Sequence, residues 1–139
     1  MNDIERSVFG GAWHGPALME LLSGVTAEQA LLKPIAGAHS IGEITLHAAI
    51  WMELAKQAID GHAIPPFGSF HDWIEPESTW ESAVHRLEKA ARELADAYAD
   101  ADPDEIVPGR HYDFEHLLTG VAQHNTYHAG QISMLKKLL

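Results

Sequence analysis

Residues 113–137 read DFEHLLTGVAQHNTYHAGQISMLKK, and their apolar spacing predicts a helix whose buried stripe is not apolar throughout. At steps of three and four the stripe runs Phe114, Leu117, Val121, His124, His128, Gln131, Leu135, Leu138. It is greasy at both ends and polar for three consecutive core-facing positions. A buried polar group without a partner costs about 1–3 kcal/mol, so three together require something that satisfies them all. Asp113 is a natural N-cap for this helix, and Lys136 and Lys137 suit the negative end of its dipole.

Working outward, three more apolar-periodic segments precede this one. The nearest runs from a capping box at Ser78 and Glu81 to Pro103, with an unbroken stripe of Trp80, Val84, Leu87, Ala91, Leu94, Tyr98 and Ala101. Before it, Ser40 and Glu43 form a second capping box. The helix they open runs to about Asp60, on a stripe of Ile44, His47, Trp51, Leu54 and Ala58. The first segment runs from about Asp3 to Leu22 and breaks near Gly10-Gly11 and Gly15-Pro16. A short turn with capping-box spacing at Thr26 and Gln29 follows it. No strand-like alternation competes anywhere. The expectation is one all-α domain over residues 1–139, a bundle of four helices. Residues 61–76, with Pro65, Pro66, Gly68 and Pro76, form a loop longer than the usual 2–8 residues of a helix–helix connection. Such a loop can cross the bundle and leave the second and third helices parallel. Its aromatics Phe67, Phe70 and Trp73 either anchor it over one bundle end or form a lid.

His124 and His128 stand one turn apart on one face, where two imidazole nitrogens can converge on one ion. His47 is the histidine on the stripe of the second helix, and it is the natural third ligand. Glu43, one turn earlier, serves the cap or supports His47 from behind. Gln131 orients a ligand or a bound water, or simply bridges the core. Among ten histidines a pair four apart is unsurprising; its place on a buried stripe opposite another buried histidine carries the weight. Pattern alone leaves two readings open, a divalent metal or a buried hydrogen-bond network. The remaining histidines are weaker candidates. His14 lies at the break in the first segment and is within conceivable reach of the site. His116 is expected near the bundle end, His85 on an exposed face, and His39, His62, His71 and His111 in solvated loops. Ser23, Ser69 and Thr119 have no readable base beside them, so no residue is assigned a catalytic role.

Composition narrows the function classes. Nine Lys and Arg stand against 20 Asp and Glu, for a net charge of −11, which argues against nucleic-acid and anionic-membrane partners. Cysteine is absent, which excludes disulfides, zinc-thiolate sites and a cysteine nucleophile. The polar start Met1-Asn2-Asp3-Ile4-Glu5-Arg6 lacks the apolar core of a secretory signal, and no apolar run approaches a membrane span, so a cytoplasmic location is expected.

Two stretches and one shorter element carry a family resemblance. Ala38-His39-Ser40-Ile41-Gly42-Glu43-Ile44-Thr45-Leu46-His47 resembles the start of the second helix of the DinB/YfiT-like family. Gln123-His124-Asn125-Thr126-Tyr127-His128-Ala129-Gly130-Gln131-Ile132 resembles its fourth-helix motif, and Trp13-His14-Gly15-Pro16 resembles an element of one branch. The resemblance covers nearly the whole chain. It implies a four-helix bundle running up-down-down-up, often a homodimer, in which His47, His124 and His128 hold nickel, zinc or a similar divalent ion. Several members of that family are thiol-dependent transferases or isomerases using bacillithiol, mycothiol or glutathione; others resemble metal-dependent hydrolases, and many have no assigned activity. The resemblance therefore implies a metalloenzyme acting on a small molecule, with a low-molecular-weight thiol as one possible cosubstrate. The alternative is a non-catalytic metal-binding or stress-associated bundle.

Overall fold

Caps and glycines set the element boundaries. The computed structural model describes residues 1–76 and 79–139. Among them lie six helices: α1 (Asp3–Val8), α2 (Leu18–Leu22), α3 (Ala27–Leu31), α4 (Ile41–Ile59), α5 (Trp80–Asp100) and α6 (Phe114–Lys136). Three are long, and the described residues contain no strand, only an isolated bridge between Ile106 and Asp113. No described helix is long and apolar enough to cross a membrane.

The capping box that opens α4 is present. Ser40 Oγ accepts from the Glu43 backbone N–H at 3.1 Å, and the Glu43 carboxylate accepts from Ser40 N–H at 3.1 Å. Thr26 and Gln29 make the same reciprocal pair at the one-turn helix α3, and Asp113 caps α6 through His116 N–H at 2.9 Å. The cap expected at Ser78 lies outside the described residues. Thr79 is the residue that caps α5, accepting from Ser82 N–H at 3.1 Å. The first segment breaks, as its glycines lead one to expect, into two short helices. Gly10 and Gly11 take φ values of 137° and 81°, which an α-helix does not accommodate, and the chain regains helix only at Leu18.

The core is wider around α4 than a single stripe allows. Ile41 through Ala49 are buried on every side, because α3, α5, α6 and the return of the 61–76 loop all pack against this helix. Gly42 makes the loop's return possible: a β-carbon there would lie 2.8 Å from the Pro76 ring and 3.1 Å from the Ala30 carbonyl oxygen. At its other end the loop is held by Arg110, whose guanidinium donates to the carbonyls of Ile64 at 2.9 Å and Pro65 at 2.7 Å. On α5 the expected stripe holds at Leu87, Ala91 and Leu94, while Trp80, Val84, Tyr98 and Ala101 are half-buried.

On α6 the buried face is rotated from the expected stripe. Leu138 is 56% exposed, His124 and Gln131 lie on the flank, and Asn125, Ala129 and Ile132 occupy the centre. Asn125 is fully buried and ties α6 to α1, donating to Ser7 Oγ at 3.1 Å. Ser7 spends its own hydrogen on the Ile4 carbonyl, so Asn125 must be the donor, and its amide oxygen is left without a partner. Lys136 reaches across instead of closing its own helix, donating to the Leu21 carbonyl at 2.7 Å.

An isosteric charge at the centre of this core has no counter-ion. Asn125→Asp is expected to lower unfolding stability at neutral pH by more than about 2 kcal/mol, measured by urea denaturation; a change within about 0.5 kcal/mol would mean that this position is not sealed from water.

Candidate metal centre

α4 carries His47, and α6 carries His124 and His128 one turn apart. Their rings meet between the two helices. His124 Nε2 lies 3.0 Å from His47 Nε2 and 3.0 Å from His128 Nε2. The other ring nitrogens decide what those short separations mean. His47 Nδ1 sits 2.7 Å from the Asp72 carbonyl oxygen, which can only accept, so Nδ1 carries the hydrogen. His128 Nδ1 likewise donates to Gln131 Oε1 at 2.7 Å. A neutral imidazole protonated at Nδ1 is bare at Nε2. Two lone pairs therefore aim at His124 Nε2, which carries at most one hydrogen, and at least one 3.0 Å nitrogen–nitrogen contact has no proton in it.

Protonation does not relieve this. Burial, followed by the neighbouring His128 and His47, pushes His124 down to about 3. Burial also lowers His47, against the pull of Asp72, and lowers His128, against its bond to Gln131. All three are neutral near pH 7, the state in which imidazole binds a metal. An ion about 2.0–2.1 Å from two imidazole nitrogens holds them roughly 3–3.4 Å apart over ordinary bond angles, so the observed spacing fits. Three imidazoles suit zinc, nickel, copper or iron.

The 61–76 loop supports His47 from behind. Trp73 is sandwiched between His47, at 3.7 Å between ring centres, and His39, at 3.6 Å, each within 5° of parallel. His39 Nδ1 lies 3.0 Å from Glu43 Oε2, and Lys33 Nζ lies 3.0 Å from Glu43 Oε1. Burial alone would raise the Glu43 carboxyl, but the hydrogen bonds from His39, the Ser40 backbone and Lys33 outweigh it and bring it to about 2. The Asp72 carboxylate accepts from Trp51 Nε1 at 3.0 Å. Glu43 thus serves both the cap and the support of His47, the latter only through His39 and Trp73.

Beside the cluster lies a cavity of about 430 Å³, reached by His47 and His124 and walled by Trp51, Phe67, Trp73 and Tyr112. His116 lines this cavity and is not merely an end-of-bundle residue. His39 is not solvated but half-buried in the stack. His14 does not join the cluster; it is exposed in a separate hollow beside α1. His62, His71, His85 and His111 are exposed. The reading of residues alone missed Asp72, whose contribution to His47 is a backbone carbonyl and so independent of residue type. It also left Trp73 undecided between anchor and lid. A second convergence, Asp104, Asp113 and Glu115, is partly spent on capping α6.

A family model described as the DinB superfamily matches residues 12–132. No curated protein and no solved structure gives a match.

The depressed histidines impose a sign on acid stability. A group whose folded pKa lies below its unfolded value of 6.5 contributes stability that is complete above that value and is lost as pH falls, because the unfolded chain takes up the proton first. Chelator-treated protein is therefore expected to melt at progressively lower temperature between about pH 6.5 and 5, above the range in which Glu43 takes up its proton. His124→Gln should flatten that slope. Equal slopes in wild type and variant, followed by circular dichroism, would contradict the assignment.

Proposed function

The chain belongs to the DinB superfamily, and we propose that it is a metal-dependent enzyme in which His47, His124 and His128 hold one divalent ion, nickel or zinc. The observation that carries this reading is the pair of bare Nε2 lone pairs aimed at His124, a convergence that a cation stabilises and a proton does not. When bound, the ion supplies Lewis acidity that lowers the pKa of a coordinated water or thiol to near neutrality. The chain does the rest. Asp72 and Gln131 fix the tautomers of His47 and His128, Trp73 fixes the plane of the His47 ring, and the flanking cavity gives a small molecule access to the same point. Hydrolysis and S-transfer to an electrophile are the two reactions such a site suits.

The cavity separates this reading from a non-catalytic metal module, which would close the coordination sphere with a fourth side chain. His14, the residue considered for that role from the sequence, stands in the other hollow. We also propose that α1 and α2 together are the split first helix of a single up-down-down-up bundle over residues 1–139. Two observations support the parallel middle pair: Glu53 of α4 pairs with Arg86 of α5, and one helical turn or more further along both helices Lys56 and Asp60 share a groove with Glu93. Dimerisation is implied by the resemblance alone.

Protein purified without a histidine tag and incubated with nickel or zinc is expected to retain close to one equivalent by elemental analysis. His124→Ala should retain less than about a tenth. Saturating metal should raise the melting temperature of wild type, by about 2.7 kcal/mol of stability at a hundredfold excess over Kd, and leave the variant unmoved. Metal-loaded protein should then accelerate ester hydrolysis or addition of a thiol to a model electrophile. Full metal occupancy without turnover in either assay would leave the non-catalytic module standing.

A further inference from the structure

The helix-interior glycine at position 120 has no structural partner. A glycine inside a helix costs about 1 kcal/mol relative to alanine, and such glycines usually permit close packing. Gly120 does not: a β-carbon added there would meet nothing within 4 Å. It lies one turn after His116 and one turn before His124, on the face of α6 that floors the cavity beside the histidine cluster. The space above it is open, and a larger side chain would fill it.

The chemistry of the cavity limits what can enter. Its walls are the rings of Trp51, Phe67, Trp73 and Tyr112, and no lysine or arginine is among its lining residues. Its carboxylate, Asp72, is engaged by Trp51 Nε1. Lys33, which lies behind the Trp73–His39 stack through Glu43, is held by that carboxylate. A carboxylate or phosphate in the cavity would find no cation on the protein, and the chain's net charge of −11 adds to the penalty. A ligand cation would find no unengaged carboxylate, since Asp72 is the one acidic lining residue and it already accepts from Trp51. Phe67 is 83% exposed at the edge of this space, and a flat apolar ligand would cover it. A volume of about 430 Å³ is at the small end of the usual ligand-pocket range of about 300–1,000 Å³.

We infer that this cavity is a subsite for an uncharged aromatic molecule of one or two rings, seated over Gly120 with a polar atom directed at the three histidines. This deepens the functional reading above and rests on it for the chemistry at the histidine end. The recognition of the ring system is a property of the chain alone, and it disfavours an anionic thiol as the molecule that fills the cavity.

The test uses the metal-free full chain and three probes of one shape: 2-naphthamide, 2-naphthoate and 2-(aminomethyl)naphthalene. Binding is followed by NMR on the indole N–H resonances of Trp51 and Trp73. The amide should bind at least tenfold more tightly than either charged probe, and Gly120→Leu should weaken it at least tenfold while retaining the same equivalents of nickel as wild type. Naphthoate binding as well as the amide would overturn the inference by revealing an anion site. Preference for the amine would overturn it in favour of an aromatic cage for cations, and absence of binding by all three would overturn it outright. The probe series on wild type decides the matter even if Gly120→Leu fails to fold. The nickel content is measured separately, so loss of the metal reading and loss of this one are told apart.

Discussion

Two hydrogen bonds govern this site, and neither lies at the point they control. His47 gives its Nδ1 hydrogen to the carbonyl of Asp72, and His128 gives its own to the side chain of Gln131. Each bond removes the choice of tautomer from its ring and leaves a lone pair on the opposite nitrogen. Without them, His47 and His128 could carry their hydrogens on Nε2 and direct them at a bare His124 Nε2, placing a proton in each of the two 3.0 Å contacts. With them, that solution is closed to two of the three members. The residual demand for positive charge is a consequence of acceptors placed behind the rings, in the manner of the outer partners that orient metal-bound histidines.

The acceptor behind His47 exists only because the 61–76 loop comes back to α4. That return depends on a missing side chain at Gly42, where Pro76 sits, on Trp73 entering between two imidazoles, and on Arg110 holding the departing strand of the loop by its carbonyls. The consequence for α4 is burial on all sides over its first nine residues. A helix so enclosed has little freedom to shift, and the rigidity passes to His47. The loop therefore acts at once as an anchor and as one wall of the cavity.

The histidine site was legible in the residues because its signal is a contradiction: polar rings at positions where the helical period demands grease. His47, His124 and His128 meet as that contradiction implies. The caps at Ser40, Thr26 and Asp113 were legible for the same kind of reason, each a local pattern with one structural meaning. What failed to show were quantities that depend on neighbours. The buried face of α6 is centred on Asn125 and Ile132 rather than on His124 and Gln131, since α1 packs on one side of this helix and α4 on the other. A single stripe cannot record two partners. The break in the first segment, by contrast, was legible at Gly10 and Gly11, which take the positive φ that only their residue type accommodates easily. The Asp72 carbonyl was invisible in principle, as every residue has one.

The energetics of the cluster bear on whether it is a structural or a chemical device. A chain of this length buries enough surface to fold without a staple, and the core described here is continuous from α1 to α6 around the site. An ion is then not needed for the fold, and the three imidazoles, two buried and one half-buried, are a net cost in its absence. Asp72 and Gln131 satisfy the outward nitrogens of His47 and His128, His124 Nδ1 is buried without a partner, and the rest of that cost is concentrated at the point where the three Nε2 atoms meet. A ligand that binds there finds two of three rings already oriented, so little ordering entropy opposes it. A purely structural site would gain most by surrounding that point completely. Here one side is left facing an aromatic-walled space above a glycine with no packing role. Strong pre-organisation on one side and open volume on the other is the arrangement expected where a bound ion must still exchange what it holds.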